Sequence, residues 1–170
     1  VFFELLPHFA VGVSEVHLIL GTTLFLLLGA APSSIGLALG LLIQGMFFAP
    51  TDLPMYFVNV TTLLVPLFAI DALARRVIPQ DRAYVDLAYA DVLKMSVVYQ
   101  GGVVAWVAFW AIYGQGFGAD NLNAVWTFGA AYMLVILIEP IADLAVLAGA
   151  KALRVGGLRG LFTHRLYNAA

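Results

Sequence analysis

The sequence predicts an all-α fold: a polytopic transmembrane helix bundle of about five main spans with a re-entrant Pro-Asp-Leu-Pro segment. Three observations predict it. Of 170 residues, 63% are hydrophobic and only 11% charged, mean hydropathy is +0.99, and the apolar residues run in long continuous stretches. A soluble domain carries about 25% charged residues. A transmembrane β-barrel would alternate apolar and polar residues with a period of two, which these stretches do not. The length suits one transmembrane domain, 1–170, with spans of roughly 20 residues packed against one another. Residues 151–170 form its basic tail. No cysteine is present, which excludes disulfides and thiolate metal ligands and leaves His, carboxylate, amide and backbone atoms for any binding chemistry.

Val1-Phe-Phe-Glu-Leu-Leu6 has neither an initiator Met nor a charged leader region, so it is expected to follow residues missing upstream. The first apolar block runs from about Gly12 to Leu28. It stops at Gly29-Ala-Ala-Pro32, a helix-ending combination, and Ser33 and Ser34 are expected N-caps for the next block. That block, Ile35 to Phe48, is interrupted by Pro50-Thr51-Asp52-Leu53-Pro54. Two prolines around an acid predict a turn or re-entrant segment, which a membrane tolerates only where it is buried in protein or lines a cavity. The third block spans Met55 to Ala74, the fourth about Val92 to Tyr113, and the fifth about Val125 to Ala150. Gly36 and Gly40 form a small-xxx-small pair, with Gly45 beyond, predicting close helix approach. Trp106, Trp110, Tyr113, Phe117 and Trp126 fit an interfacial aromatic belt. Asn59-Val60-Thr61 matches a glycosylation sequon, taken as chance beside a membrane segment.

The eight Lys and Arg residues fall in two clusters, Arg75 to Lys94 and Lys151 to Arg165. The intervening Gly114–Asn121 loop has none, so the positive-inside rule places both clusters and the C-terminus in the cytoplasm. Counting spans backwards then puts His17, Asp52 and Asn59 together at the outer end. The Arg75–Lys94 linker, which mixes Asp81, Asp86 and Asp91 with apolar residues, fits either a short amphipathic helix on the inner surface or a docking surface.

Imidazole nitrogen with carboxylate or amide oxygen suits Ni²⁺, Co²⁺ or Zn²⁺, and ionisable residues in a membrane segment raise a functional hypothesis by default. The bland alternatives stand beside it. His17 also reads as an interfacial, hydrogen-bonded residue, Asp52 as a turn or cap residue, and Asn59 as a partner for backbone freed by Pro54. His8, nine residues before His17, lies outside the spacing that would put both on one helix face; it is a candidate secondary metal contact or an ordinary loop histidine. Glu15 reaches His17 as a supporting partner only if the backbone there is not helical. His164, among the tail cations, is expected in solvent. Glu139 and Asp143, four apart around Pro140, share one helix face. They read either as a proton or cation relay or as acids that satisfy local backbone or a neighbouring helix.

Gly12-Val-Ser-Glu-Val-His-Leu-Ile-Leu-Gly21, Leu41-Leu-Ile-Gln-Gly-Met-Phe-Phe48 and Asn59-Val-Thr-Thr-Leu-Leu-Val-Pro66 resemble, in order and approximate spacing, the signature stretches of the cobalt/nickel energy-coupling-factor permeases of the CbiM/NikM type. The resemblance covers about Gly12 to Arg76. It implies a membrane substrate-binding subunit, the S component, of an ATP-driven importer in a bacterial inner membrane, supplying metal for uses such as cobalamin biosynthesis. It implies a square-planar Ni²⁺ or Co²⁺ site in which His17 matches the internal histidine ligand and Gln44 and Asn59 match polar positions around it. The family's N-terminal Met-His ligands are absent here. The implied partners are a transmembrane coupling subunit and a pair of ATPases, with the lipid bilayer around them and no nucleic acid. No cofactor is expected to stay bound; the metal is cargo.

This chain has no Walker A motif, so it is expected to be a transporter subunit and no enzyme, with ATP hydrolysis left to partners. Two other functions compete: a proton- or cation-coupled carrier using Glu139 and Asp143, and a non-catalytic membrane assembly subunit. A membrane hydrolase lacks support, since neither His-Glu-x-x-His nor Gly-x-Ser-x-Gly occurs and Ser14 has no evident base other than His17.

Overall fold

The computed structural model describes residues 9–16, 18–152 and 161–168. His8 and His17 therefore lie outside the described residues. Two short strands, β1 (Phe9–Val11) and β2 (Ser14–Val16), pair antiparallel with Phe9 opposite Val16. Helices follow: α1 (Gly21–Leu28), α2 (Ala30–Phe47), a 3₁₀ helix (Pro50–Met55), α3 (Tyr56–Val77), α4 (Tyr89–Gln115), α5 (Ala119–Ala152) and the short α6 (His164–Tyr167). The architecture is an all-α helical bundle carrying one small hairpin at its start.

Among the described residues, four helices are long and apolar enough to cross a membrane: α2, the 3₁₀–α3 unit, α4 and α5. The first expected span, Gly12 to Leu28, does not form one continuous helix. Gly12 at φ +62° turns the hairpin, and Leu20 at φ +56° breaks the chain again before Gly21. What remains is α1, with eight residues, about 12 Å at 1.5 Å per residue, against a hydrocarbon core of about 30 Å. At the other extreme, α5 has 34 residues, about 51 Å, so it projects beyond the hydrocarbon or tilts strongly. Pro140 sits within it without ending it.

Boundaries elsewhere correct the sequence expectation locally. Gly29, at φ +84°, both ends α1 and precedes α2, so α2 starts at Ala30. Ser33 and Ser34 accordingly lie inside the first turns of α2 instead of capping it, and Ser34 Oγ donates to Ala30 O at 2.6 Å. Pro32 is tolerated because the first-turn N–H groups of a helix have no intrahelical partner. The Pro50–Pro54 segment forms a 3₁₀ helix running directly into α3, and Leu53 lies against Gly45, where an added Cβ would meet its side chain at 2.8 Å. Gly36 and Gly40 face open space, so the close helix approach expected there is not made among the described residues.

The core gathers Phe25, Leu26, Leu67, Ile70, Val92, Met95, Tyr99, Phe128 and Tyr132 between α1, α3, α4 and α5. Large apolar side chains on α2 and α5, among them Ile35, Phe47, Leu137 and Ile141, point outward and are exposed, as expected of lipid-facing surface. Tyr113, Phe117 and Trp126 are exposed around the α4–α5 loop. Trp106 and Trp110 instead direct their indole N–H groups to one acceptor, Thr61 Oγ1, at 3.2 and 3.1 Å.

At the opposite end, the linker between α3 and α4 contains only a three-residue 3₁₀ turn, Tyr84–Asp86, and so does not form the amphipathic helix that is one of its two sequence readings. Ala83, Tyr84, Val85 and Leu87 are buried, so its apolar residues close the bundle end. Residues 161–168 clasp this end. Thr163 N–H donates to Leu27 O at 2.7 Å, Arg165 donates to Pro79 O at 3.0 Å and lies over the Tyr84 ring, and Tyr167 Oη donates to Ala150 O at 3.2 Å. Burial holds the Tyr84 phenol above its ordinary pKa, partly offset by the Arg165 charge. His164 is exposed, as its place among the tail cations predicts.

Candidate functional site

A cavity of about 390 Å³ opens at the end of the bundle that carries the α4–α5 loop. Its size is that of a small-solute pocket. The 3₁₀ helix brings Asp52, α2 brings Gln44, the first turn of α3 brings Asn59, and the hairpin brings Ser14. Gln44, Asp52 and Asn59, singled out from sequence at three separate positions, thus line one space. Trp110 and Gln115 of α4 form the rim opposite, and Ile19, Phe128 and Tyr132 form part of the apolar wall.

Local sequence explains the convergence. Gly45 leaves room for Leu53, so the 3₁₀ helix folds back on α2 and swings Asp52 toward Gln44. Gly12 sits where an added Cβ would collide with the Ala124 carbonyl of α5, so the hairpin docks on that helix and presents Val13 and Ser14 to the cavity. The segment of Glu15 is a strand, the non-helical backbone that a supporting role beside His17 requires. Among the described residues, no three His, Cys, Asp or Glu side chains come together as a metal site. The described polar lining comprises three amides, Gln44, Asn59 and Gln115, one carboxylate, Asp52, the Trp110 indole, and the hydroxyls of Ser14, Thr62, Tyr132 and Tyr56, the last of which donates to Ala38 O at 3.1 Å.

Beneath the cavity lies a second polar group that sequence reasoning saw only in part. Glu139 and Asp143 are buried in α5, 0% and 1% exposed. Glu139 Oε2 accepts a hydrogen bond from Ile19 N–H at 3.2 Å, and the Leu20 N–H also faces this carboxylate. Asp143 Oδ1 accepts from the Thr23 hydroxyl, and the Thr23 N–H faces it as well. The two acids therefore serve the start of α1, which has no side-chain cap of its own. Around them, Tyr132 Oη donates to Gln100 Oε1 at 2.9 Å. Gln100 Nε2 and Ser96 Oγ lie beside the two carboxyls without a well-aligned hydrogen bond. None of the ion pairs among the described residues involves Glu139 or Asp143. Sequence gave the shared face of these acids but not their partners, because the bonds span 120 residues.

The fold and this cavity define a multi-pass helical membrane protein with a polar-lined pocket opening at one end of the bundle. The model of one family, the cobalt uptake substrate-specific transmembrane region CbiM, matches residues 1–155. The chain belongs to that family, and is a transporter component. No curated protein and no solved structure matches the chain.

Proposed function

We propose that this chain is the metal-capturing membrane subunit of an energy-coupling-factor importer for divalent cobalt or nickel. The observation that carries the reading is the convergence of Gln44, Asp52, Asn59 and Ser14 on one cavity in a cobalt uptake family member. His17 is the principal nitrogen ligand in this reading, with His8 as a secondary contact, since imidazole is the commonest side chain to hold such ions. Gln44, Asp52 and Asn59 orient the ligand or line the entry path, where carboxylate and amide oxygens hold the ion's remaining waters. In this reading the C-terminus and the Arg75–Lys94 linker face the cytoplasm, which the positive-inside rule supports, and the cavity opens outward. Release to the cell then requires energy from partner ATPases acting through a transmembrane coupling subunit, for which the open faces at Gly36 and Gly40 offer a close-packing surface.

Titration of the detergent-purified full chain with Co²⁺ and Ni²⁺ by calorimetry, beside a His17→Ala variant, tests this. Tight one-to-one binding that the variant loses is the expected result. Undiminished binding by the variant would overturn the role of His17, and no binding by the full chain would overturn the cargo reading. Because ligand nitrogens must be deprotonated, affinity should fall as pH is lowered through the histidine range.

A further inference from the structure

We propose that Glu139 and Asp143 of α5 are positioning residues: they anchor the Ile19–Thr23 turn and so hold Ile19 in the cavity wall, two residues along the chain from His17. The proposal rests on the cargo reading above. Its geometric basis is independent of it.

The start of α1 is a poor structure by its own local means. Leu20 adopts φ +56°, a left-handed conformation that is strained for a residue with a Cβ. The helix has no capping side chain and no acid in its first turn, so the N–H groups of this turn lack local partners in a buried setting. Such a conformation persists only where surrounding structure over-determines it. Here α5 does so. Glu139 accepts from Ile19 and faces Leu20, while Asp143, one turn further along, accepts from Thr23. Tyr99 closes the third side, its ring occupying the space where any side chain at position 21 would go. The held turn is directly connected to the site. Ile19 is both a donor to Glu139 and part of the cavity wall, and His17 precedes it by two residues, at most about 7 Å of chain. A ligand on so short a tether takes its position from the anchor.

What the acids supply, on this account, is hydrogen-bond acceptance, not a titrating or cation-holding charge. The discriminating substitution is therefore the conservative one. Glu139→Gln keeps an acceptor oxygen, whereas Glu139→Leu keeps the volume and loses it. Co²⁺ titration of the full chain should show affinity lowered about tenfold or more in Glu139→Leu, the usual cost of losing a group that orients a metal ligand. Its stoichiometry should be unchanged, with an altered visible d–d absorption of bound Co²⁺. Glu139→Gln should stay within about threefold of the unaltered chain, since a retained acceptor avoids the cost of an unpaired buried donor. Thr23→Val, which removes the partner of Asp143 without touching either acid, should fall between them, and it stands in if Glu139→Leu does not fold. Equal affinity in Glu139→Leu and the unaltered chain would overturn the proposal. So would a Glu139→Gln variant as deficient as Glu139→Leu, because charge would then be the requirement. If the unaltered chain binds no Co²⁺, the cargo reading fails, and amide hydrogen exchange decides the anchor. Protection of the Ile19–Thr23 amides in the unaltered chain and Glu139→Gln but not in Glu139→Leu supports it, and equal protection in all three overturns it.

Discussion

Helices α1 and α2 are neighbours joined at Gly29, both strongly apolar, yet they occupy opposite environments. In α1, five of eight residues are buried, Gly21, Thr22, Thr23, Phe25 and Leu26, and its ends are held by distant groups, Asp143 at Thr23 and Thr163 at Leu27 O. In α2, 18 residues long, only Ser33, Leu37 and Gly45 are buried, and Ile35, Leu39, Met46 and Phe47 face outward. Hydrophobicity therefore says that a block leaves water, but not whether it enters lipid or protein. The surroundings of the small and polar residues tell more: Gly21 and Thr23 of α1 meet a close surface and a partner on α4 and α5, whereas Gly36 and Gly40 of α2 meet nothing within 4 Å among the described residues.

The contrast is sharpest at glycine. Gly21→Leu should destabilise the protein by about 3 kcal/mol through overpacking against Tyr99, read as a large drop in the thermal midpoint in detergent. An unchanged midpoint would mean that α1 is not docked as described. Removing the hydroxyl partner of Asp143 with Thr23→Val should cost about 1–3 kcal/mol, since a buried acceptor loses its donor. Tyr132→Phe, which leaves Gln100 without its donor, should cost about 1 kcal/mol in the same assay. On the α2 side the sign reverses: Gly36→Ala meets nothing within 4 Å and should stabilise by about 0.5 kcal/mol through helix propensity. A clear destabilisation there would show that the outward face of α2 is packed against another protein surface in the purified state.

The smallest expected effect lies at the clasped end. The folded-state pKa of Tyr84 is raised by burial, so the folded protein holds this proton more firmly than the unfolded chain. Stability from the neutral phenol is fully present below the ordinary tyrosine pKa of about 10 and declines as pH rises above it. Tyr84→Phe should flatten that alkaline decline in a pH series of unfolding midpoints, while leaving the neutral-pH profile of metal binding unaltered.

Much of the candidate site was legible in the chain. Gln44, Asp52 and Asn59 stood out as polar residues in or beside apolar blocks, and the cation count alone put Asp52 and Asn59 at one end. The cavity joins them there. Glu139 and Asp143 were legible as a pair on one face through their i, i+4 spacing. Their service to the start of α1 was not, nor was the hairpin of Phe9–Val16, whose strands of three residues each are too short to show a period of two. A signal was present in Gly12, a glycine beside Ser14 and Glu15 where the chain turns, and in the adjacent polar pair Thr22-Thr23.

The sequence by itself determined the membrane class, the long helices α3, α4 and α5, and the family, because these rest on local hydrophobicity and on short motifs. Only the tertiary structure decided that the first apolar block is a hairpin and a buried eight-residue helix, that the linker and tail close one end, and that two acids of α5 hold the start of α1. The physical reason is distance in the chain. Within a long helix, each backbone group finds its partner four residues away, so composition suffices. The turn at Ile19–Thr23 finds its partners 120 residues away, and no local pattern records a contact that exists only once α5 has packed beside it.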